Sequence, residues 1–340
     1  MGVRMATRTA RIAFGAMAAL LCAGAPAPPA ESPAERLSMA VPGVPPVFSG
    51  LFAFVAREQG FFKKHGVEVE VRPFDSGAAA AQAVVAGGID FSLSPTAAIV
   101  RMVSNANVDL VGIYGMEHPD WLLGSTDPAK AKCADLKGEG VGVDSVGGAR
   151  AVALAEFLRP CGLKMEDVKL VSLSSNVGAA MIGGQIKFGV LHIDDVPVIE
   201  EQMKRPVAVM ATFREVSPLT HYNLIVVPRE RLKLKRDAYL RALAGIIEAV
   251  RFMNDPRNAD RVAQIATVTG RTEKLAGETL PKLYKIEFWP VGTDGLTRAN
   301  IERVVKVEQQ LGGIKPGKTP VAYERLVDGT VWKDASALVK

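Results

Sequence analysis

The sequence predicts an α/β fold of two lobes, and three observations carry that expectation. Short strand-like runs alternate with helical stretches over most of the chain. The alternation breaks and begins again near Asp135-Leu136-Lys137-Gly138. Beyond Asp237 the pattern is almost wholly helical. A length of 340 residues also favours two domains over one, at about 150 residues each.

The elements follow in order. Leu37–Val41 reads as a first strand ending at Pro42-Gly43, and Leu51–Lys64 as a helix that Gly66 stops. Val67–Arg72 alternates apolar and charged residues like a half-buried strand, and Ser76-Gly77 opens an Ala-rich helix over 78–87. A strand at Ile89–Leu93, a helix over 96–104 and a strand at Val108–Tyr114 complete the first run. The second run has strands at Gly140–Val143, Val168–Leu173 and Phe188–Ile193, with helices at Ala149–Leu158 and Val177–Gly183. Leu224–Val227 reads as a return strand. Asp237–Asn254 then places Leu240, Leu243, Ile246, Ile247, Val250 and Met253 on one helix face, and 258–268, 272–285 and 296–311 are further helices. This βαβ rhythm calls for two mixed, mostly parallel sheets flanked by helices, with the chain crossing between lobes near 115–123 and 211–222. The expected division is a signal peptide at 1–30, the first part of lobe I at 31–118, lobe II at 119–221, and the lobe I return strand with C-terminal helices at 222–340.

Composition narrows the function. With 48% hydrophobic residues and a net charge of +5, the chain is not disordered. Arg4, Arg8 and Arg11 supply much of that excess, and no acidic residue precedes Glu31. The rest is close to neutral, so no nucleic-acid partner is expected.

Residues 1–30 carry a cationic start, the apolar run Ile12–Leu21 and a small-residue exit, the order of an export signal. Ten residues rise only about 15 Å as a helix, half of a hydrocarbon core. Ala23-Gly24-Ala25 fits signal cleavage but is followed by Pro26. Cys22 raises lipid attachment, yet Leu21 stands before it where Gly, Ala or Ser is wanted. A free exported protein is therefore the expectation.

Three cysteines are too few for a disulfide scaffold. Cys133 precedes the first strand of lobe II and Cys161 follows the helix running back from it, so both fall at the same end of one βα unit. In an oxidising compartment they can pair; two separate buried thiols are the alternative.

Ligands of open α/β lobes bind beyond the carboxyl ends of strands, where loops meet helix N-termini. Four such places occur here. The loop after the first strand supplies Gly43, Pro45 and Phe48. Ser76 and Gly77 follow the second strand, Ser94 and Thr96 the third. Ser145, Gly147 and Gly148 open the first helix of lobe II. Helix N-termini favour anions, hydroxyls add donors, and glycines admit close backbone approach. Taken singly, each Ser or Thr also fits an ordinary N-cap. Phe48 and Trp121 are candidate stacking residues, His192 a candidate donor at a strand end, and Arg150 a candidate neutralising charge.

No metal or catalytic motif is present: no Cys-x-x-Cys, no His-x-x-x-His, no Gly-x-Ser-x-Gly, no Walker or full dinucleotide fingerprint. The expectation is a protein that is not an enzyme and holds neither cofactor nor metal.

Ala56–Gly66 (AREQGFFKKHG) followed by VEVEVRPFDSG, Ala86–Phe91 (AGGIDF), Asp135–Gly138 (DLKG), Trp289-Pro290 and Val327–Gly329 together resemble periplasmic substrate-binding proteins of the nitrate/sulfonate/taurine class. The likeness runs from about residue 36 to 330. One departure is Lys187 in Gly183–Phe188, where that class usually has Asp, and it touches the next loop, His192 to Asp195. The resemblance implies a two-lobe periplasmic binding protein fold of type II. It also implies a hinged, monomeric, periplasmic protein that delivers a small solute to an inner-membrane ABC permease with its ATPase. Asp194 joins the candidate contacts on this basis. An anionic solute (a sulfonate, a taurine-like compound or an aromatic carboxylate) is expected. A pyrimidine-type thiamine precursor and a ligand-sensing role for a membrane signalling partner are the alternatives.

Overall fold

Pleated runs with β-branched and small residues build the first lobe's strands: β1 (Glu35–Pro42), β2 (Val67–Phe74), β3 (Phe91–Pro95) and β4 (Leu110–Met116). The computed structural model describes residues 1–2, 35–174 and 176–339, so the expected signal segment lies almost wholly outside the described residues. Between these strands lie the helices α1 (Leu51–Glu58), α2 (Phe61–Lys64), α3 (Gly77–Val85) and α4 (Thr96–Ala106). The single helix expected over Leu51–Lys64 is two. Gly60 takes a left-handed φ of 73° between them, a conformation glycine reaches without a Cβ clash.

The chain then passes into a second sheet. Its strands are β5 (Trp121–Ser125), β6 (Gly140–Val143), β7 (Lys169–Ser172), β8 (Phe188–His192) and β9 (Ala208–Thr212). Its helices are α5 (Ala149–Leu158), α6 (Val177–Ile182), α7 (Asp195–Met203) and the short α8 (Phe213–Val216). It returns through β10 (Asn223–Pro228) and ends in α9 (Arg229–Leu234), α10 (Arg236–Met253), α11 (Ala259–Ala266), α12 (Glu273–Lys285), α13 (Arg298–Gln310), α14 (Tyr323–Leu326) and α15 (Gly329–Ala337). None of the described helices is long and apolar enough to cross a membrane.

The two sheets repeat one plan. The first has the order β2-β1-β3-β10-β4, the second β7-β6-β8-β5-β9. In each, the strand that has just crossed from the other lobe lies antiparallel between two neighbours: β10 between β3 and β4, β5 between β8 and β9. β1 pairs in parallel with β2 and β3, and β6 with β7 and β8, so in each mixed sheet four of the five strands run the same way.

The inner face of the first sheet is closed by α1, α10, α11, α12 and α15. Leu51, Phe52, Ile246, Val250 and Trp289 are buried there, and Trp289 Nε1 donates to the Ser49 carbonyl at 3.3 Å. Opposite, α3, α4 and α13 cover the sheet through Ala80, Val84, Ile99, Val103 and Val304. In the second lobe Phe157, Leu154 and Phe188 pack on one face and Met181, Val177 and Ile199 on the other.

The return crossing is fixed to the first lobe by His221. Its Nε2–H donates to the Gly295 carbonyl at 2.6 Å, while Nδ1 accepts from the Thr96 hydroxyl at 2.7 Å. The neutral ring makes both bonds, and burial pushes its pKa from 6.5 down to about 4. A base whose pKa falls on folding lends full stability above its unfolded value and loses it as pH drops toward the folded one. Between pH 6.5 and 4 the fold should lose about 3 kcal/mol through this ring. Urea unfolding of wild type and His221→Gln at pH 7 and pH 4.5 isolates the effect, because other groups titrate in both proteins. Equal acid losses in the two would refute it.

Candidate ligand-binding cleft

The loops leaving β1, β2 and β3 meet the loops leaving β6, β7 and β8 across the space between the lobes. Two cavities occupy it. An inner one of about 60 Å³ is lined from the first lobe by Gly43, Asp75, Ser76, Pro95, Tyr222 and Asn223, and from the second by Trp121, Asp144, Arg150, Ser174 and His192. An outer one of about 300 Å³ is lined by Pro45, Asn176, Ile182, Asp194, Val198, Gln202 and Arg271. Val47, Arg150 and His192 belong to both walls, so the two form one cleft with a polar inner end and a partly apolar outer end.

Arg150 stands in the first turn of α5 and is 4% exposed. Its Nη1 donates to the Val190 carbonyl at 3.1 Å and lies 3.8 Å from Asp195. Nε and Nη2 have no hydrogen-bond partner among the described residues. A buried guanidinium with idle donors in a cavity wall is an acceptor site for an anion, because burial without a partner is costly for a charge.

Around it lies a network of charges. His192 Nδ1–H donates to Asp120 at 2.7 Å, and the His192 and Ile193 amides donate to Asp195 (3.0 Å) and Asp120 (3.3 Å). Burial is the strongest single influence on the His192 ring and opposes its charge, but the Asp120 and Asp194 carboxylates together outweigh burial and Arg150, so its pKa lies above the ordinary 6.5. Asp194 is pushed above the usual carboxylate range by burial and by Asp195. Asp195 is buried too, yet Arg150 and Arg271 hold it below that range. Asp120, His192 and Asp194 each bring one ligand-type atom within 4.8 Å of the others. Their oxygens and Nδ1 are already engaged, Asp194 by Arg271 and His192 by Asp120.

Several of these contacts join the lobes. Arg271, beside α12 of the first lobe, reaches Asp194 at 2.6 Å and Asp195 at 2.7 Å, both at the start of α7 in the second. On the other edge Arg303 of α13 faces Glu156 of α5 at 3.6 Å, and Arg101 of α4 donates to the Gly147 carbonyl. Ser174 Oγ donates to the Asp75 carbonyl at 3.5 Å. The lobes are closed on one another.

The NMT1/THI5-like family profile matches residues 47–259, which include the first-lobe helices, the whole second lobe and the return strand. The chain belongs to the NMT1/THI5-like family. It is 23% identical over 273 residues to a candidate binding protein of Brucella abortus, covering 79% of this chain and 84% of that one. Its fold is that of periplasmic binding proteins. A Bordetella bronchiseptica protein superposes with a TM-score of 0.75 at 20% identity, over 89% of this chain and 97% of that one. The periplasmic nitrate-binding protein NrtA of Synechocystis gives 0.72 at 12% identity, over 90% and 89%. The alkanesulfonate-binding protein SsuA of Xanthomonas axonopodis, bound to MOPS, gives 0.69 at 16%, over 86% and 98%.

The residues singled out from the sequence of this NMT1/THI5-like chain divide into three groups. Gly43, Ser76, Gly77, Trp121 and His192 line the inner cavity, and Pro45 and Asp194 the outer one. Trp121 packs edge-on against Tyr222 and Phe213, with ring centroids 4.7 and 5.4 Å away. Phe48 stands elsewhere: it is 2% exposed in the hydrophobic core and lines neither cavity. Ser94 and Thr96 are fully buried, Ser94 bonded to Ser92 at 2.8 Å and Thr96 to His221.

Ser145, Gly147 and Gly148 form the turn before α5. The expected anion seat at that helix start is taken by the chain itself, since Asp144 Oδ1 accepts from the Ser145 amide at 2.8 Å and the Arg150 amide at 3.2 Å. A Cβ on Gly148 would come 2.4 Å from that oxygen, and one on Gly77 would come 2.5 Å from the Pro95 ring. These glycines admit the protein's own side chains. Ser76 likewise caps α3 by accepting from the Ala79 amide at 3.2 Å.

Asp120, Arg271, Tyr222 and Asn223 were not legible as site residues; Asp75 and Asp144 begin two of the expected binding loops, 75–79 and 144–150, without being singled out. Asp144 had the best signal, standing between a strand and a glycine pair. Arg271 had none, since it is far in sequence from every residue it meets.

Proposed function

We propose that this protein is the periplasmic solute-binding component of an ABC import system and takes a small organic anion between its lobes. The observation that carries the reading is the buried, half-engaged Arg150 guanidinium at the junction of the two cavities. The periplasmic binding protein fold, the relatives named for nitrate and alkanesulfonate, and the Cys133–Cys161 disulfide support it. The site comprises Arg150, His192, Ser76, Trp121 and Asn223. The lobes are residues 31–118 with 222–340, and 119–221, hinged at 117–120 and 217–222. The bridges from Arg271, Arg303 and Arg101 form on closure, so a solute touching both lobes stabilises the closed state that the permease and ATPase read. The chain acts as a monomer. A flat pyrimidine is less well served, because Phe48 offers it no face.

The test is thermal unfolding of protein freed of co-purified ligand by unfolding and refolding, against sulfonates, carboxylates, amino acids, nitrate and pyrimidines. A ligand at 100 times its Kd adds about 2.7 kcal/mol, a shift of a few degrees at this size. A selective shift with an anion supports the reading; a flat response to every compound ends it.

A further inference from the structure

Asp195 stands between two arginines of different lobes. Its Oδ2 accepts the His192 amide at 3.0 Å and lies 3.8 Å from Arg150 Nη1, both in the second lobe. Its Oδ1 accepts from Nη2 of Arg271, in the first lobe, at 2.7 Å. The same guanidinium gives its Nε–H to Asp194 Oδ2 at 2.7 Å. Asp194 and Asp195 are both buried, and among the described residues Arg150 and Arg271 are the cations that come within 4 Å of either carboxylate. Asp120, the third carboxylate of the cluster, is taken by His192. The second lobe by itself therefore sets two carboxylates against one guanidinium, and Arg271 brings the missing charge.

Arg271 is held ready for that part. Gly270 before it has a left-handed φ of 79° and lies so close to Pro45 that an added Cβ would meet the ring at 3.1 Å. Thr272 after it caps α12 by accepting from the Leu275 amide at 3.3 Å. The first lobe thus carries this charge at a fixed place in the wall of the outer cavity. When the lobes part, Asp195 Oδ1 loses its partner, and the carboxylate is drawn to the nearest cation that remains, Arg150. We infer that Arg271 is a positioning residue: on closure it draws Asp195 away from Arg150 and frees that guanidinium for the solute. Anion affinity then develops with closure rather than before it. This rests on the solute-binding reading above and adds how the same site is regulated. The closed end of the exchange is on view, with Asp195 bonded to Arg271 and Arg150 left with idle Nε and Nη2.

A double-mutant cycle of Arg271→Gln and Asp195→Asn tests the inference. It is read by isothermal titration of ethanesulfonate, benzoate and nitrate, with unfolding curves to show that each variant is folded. Arg271→Gln should weaken the best-bound anion about 5- to 150-fold, the usual range of coupling between sites. Arg271→Lys, whose ammonium lacks the planar fork that holds both carboxylates, should fall between that variant and wild type. Adding Asp195→Asn to Arg271→Gln keeps an oxygen for the His192 amide but leaves no charge to occupy Arg150, and should recover most of the loss. A plain clasp gives no such recovery, because the second substitution only removes another contact. Affinity of Arg271→Gln within threefold of wild type overturns the inference, and so does a double variant no tighter than the single one; both leave the solute-binding reading intact. Refolded wild type that binds none of the three anions overturns it too. Silence toward the wider series of compounds as well is the separate signature of failure of the solute-binding reading.

Discussion

Replacing Arg150 by Met is expected to weaken binding of the cognate solute by about 30-fold to several thousand-fold. Truncating one partner of a buried, hydrogen-bonded charge pair costs about 2–5 kcal/mol. Arg150 is 4% exposed and keeps only one nitrogen for the protein, so most of its donors serve whatever fills the cavity. Met preserves the length and apolar stem while removing the charge. Some stability will go with it, because Nη1 also holds the Val190 carbonyl and faces Asp195. Arg150→Lys separates the two losses. An ammonium is a compact charge without the planar fork, and it cannot serve the Val190 carbonyl and the solute together. Its affinity should fall between wild type and Met while its melting temperature stays nearer wild type. Titration calorimetry with unfolding curves for all three proteins checks this. An affinity within threefold of wild type in the Met variant removes Arg150 from the site.

Cutting the Cys133–Cys161 disulfide is expected to cost about 3–4 kcal/mol with little effect on the cleft. The bond joins residues 28 apart in sequence, and closing a loop of that size removes entropy from the unfolded chain by about that amount. It pins the short helical turn before β6 to the end of α5, so the βα unit carrying Arg150 is closed at its far end. Neither cysteine lines either cavity. Reduction, or Cys133→Ala with Cys161→Ala, should lower the melting temperature on the order of 5 °C for a chain of this size. Solute affinity should remain within about twofold. An unchanged melting temperature after verified reduction would show that the loop is already held by the packing of Leu136, Leu154 and Leu158.

Much of the architecture was written in local patterns. Val67 to Arg72 alternates so regularly that β2 had little alternative, and the long apolar stripe of α10 specified both a helix and the face it buries. Elements without such a pattern were not found. β5 is five buried residues without alternation, and β9 is a short, partly exposed run; the sequence reading assigned no element to either stretch. α7 begins with Asp195 and carries Pro197 in its first turn, and nothing in its residues separated it from a loop.

The sequence by itself determined the two α/β lobes and the family likeness. Periodicity, signal composition and ordered motifs are local properties, decided by residues that are neighbours along the chain. Tertiary structure alone decided which side chains line the cleft. The loop serines and glycines looked free in sequence, but Thr96 was claimed by His221 and the start of α5 by Asp144. Arg271 became a clasp only because folding brought it to Asp194 and Asp195, which lie more than seventy residues away. A buried polar group takes the nearest partner that compensates its desolvation, and that partner is chosen by distance in space, which no local reading of the chain contains.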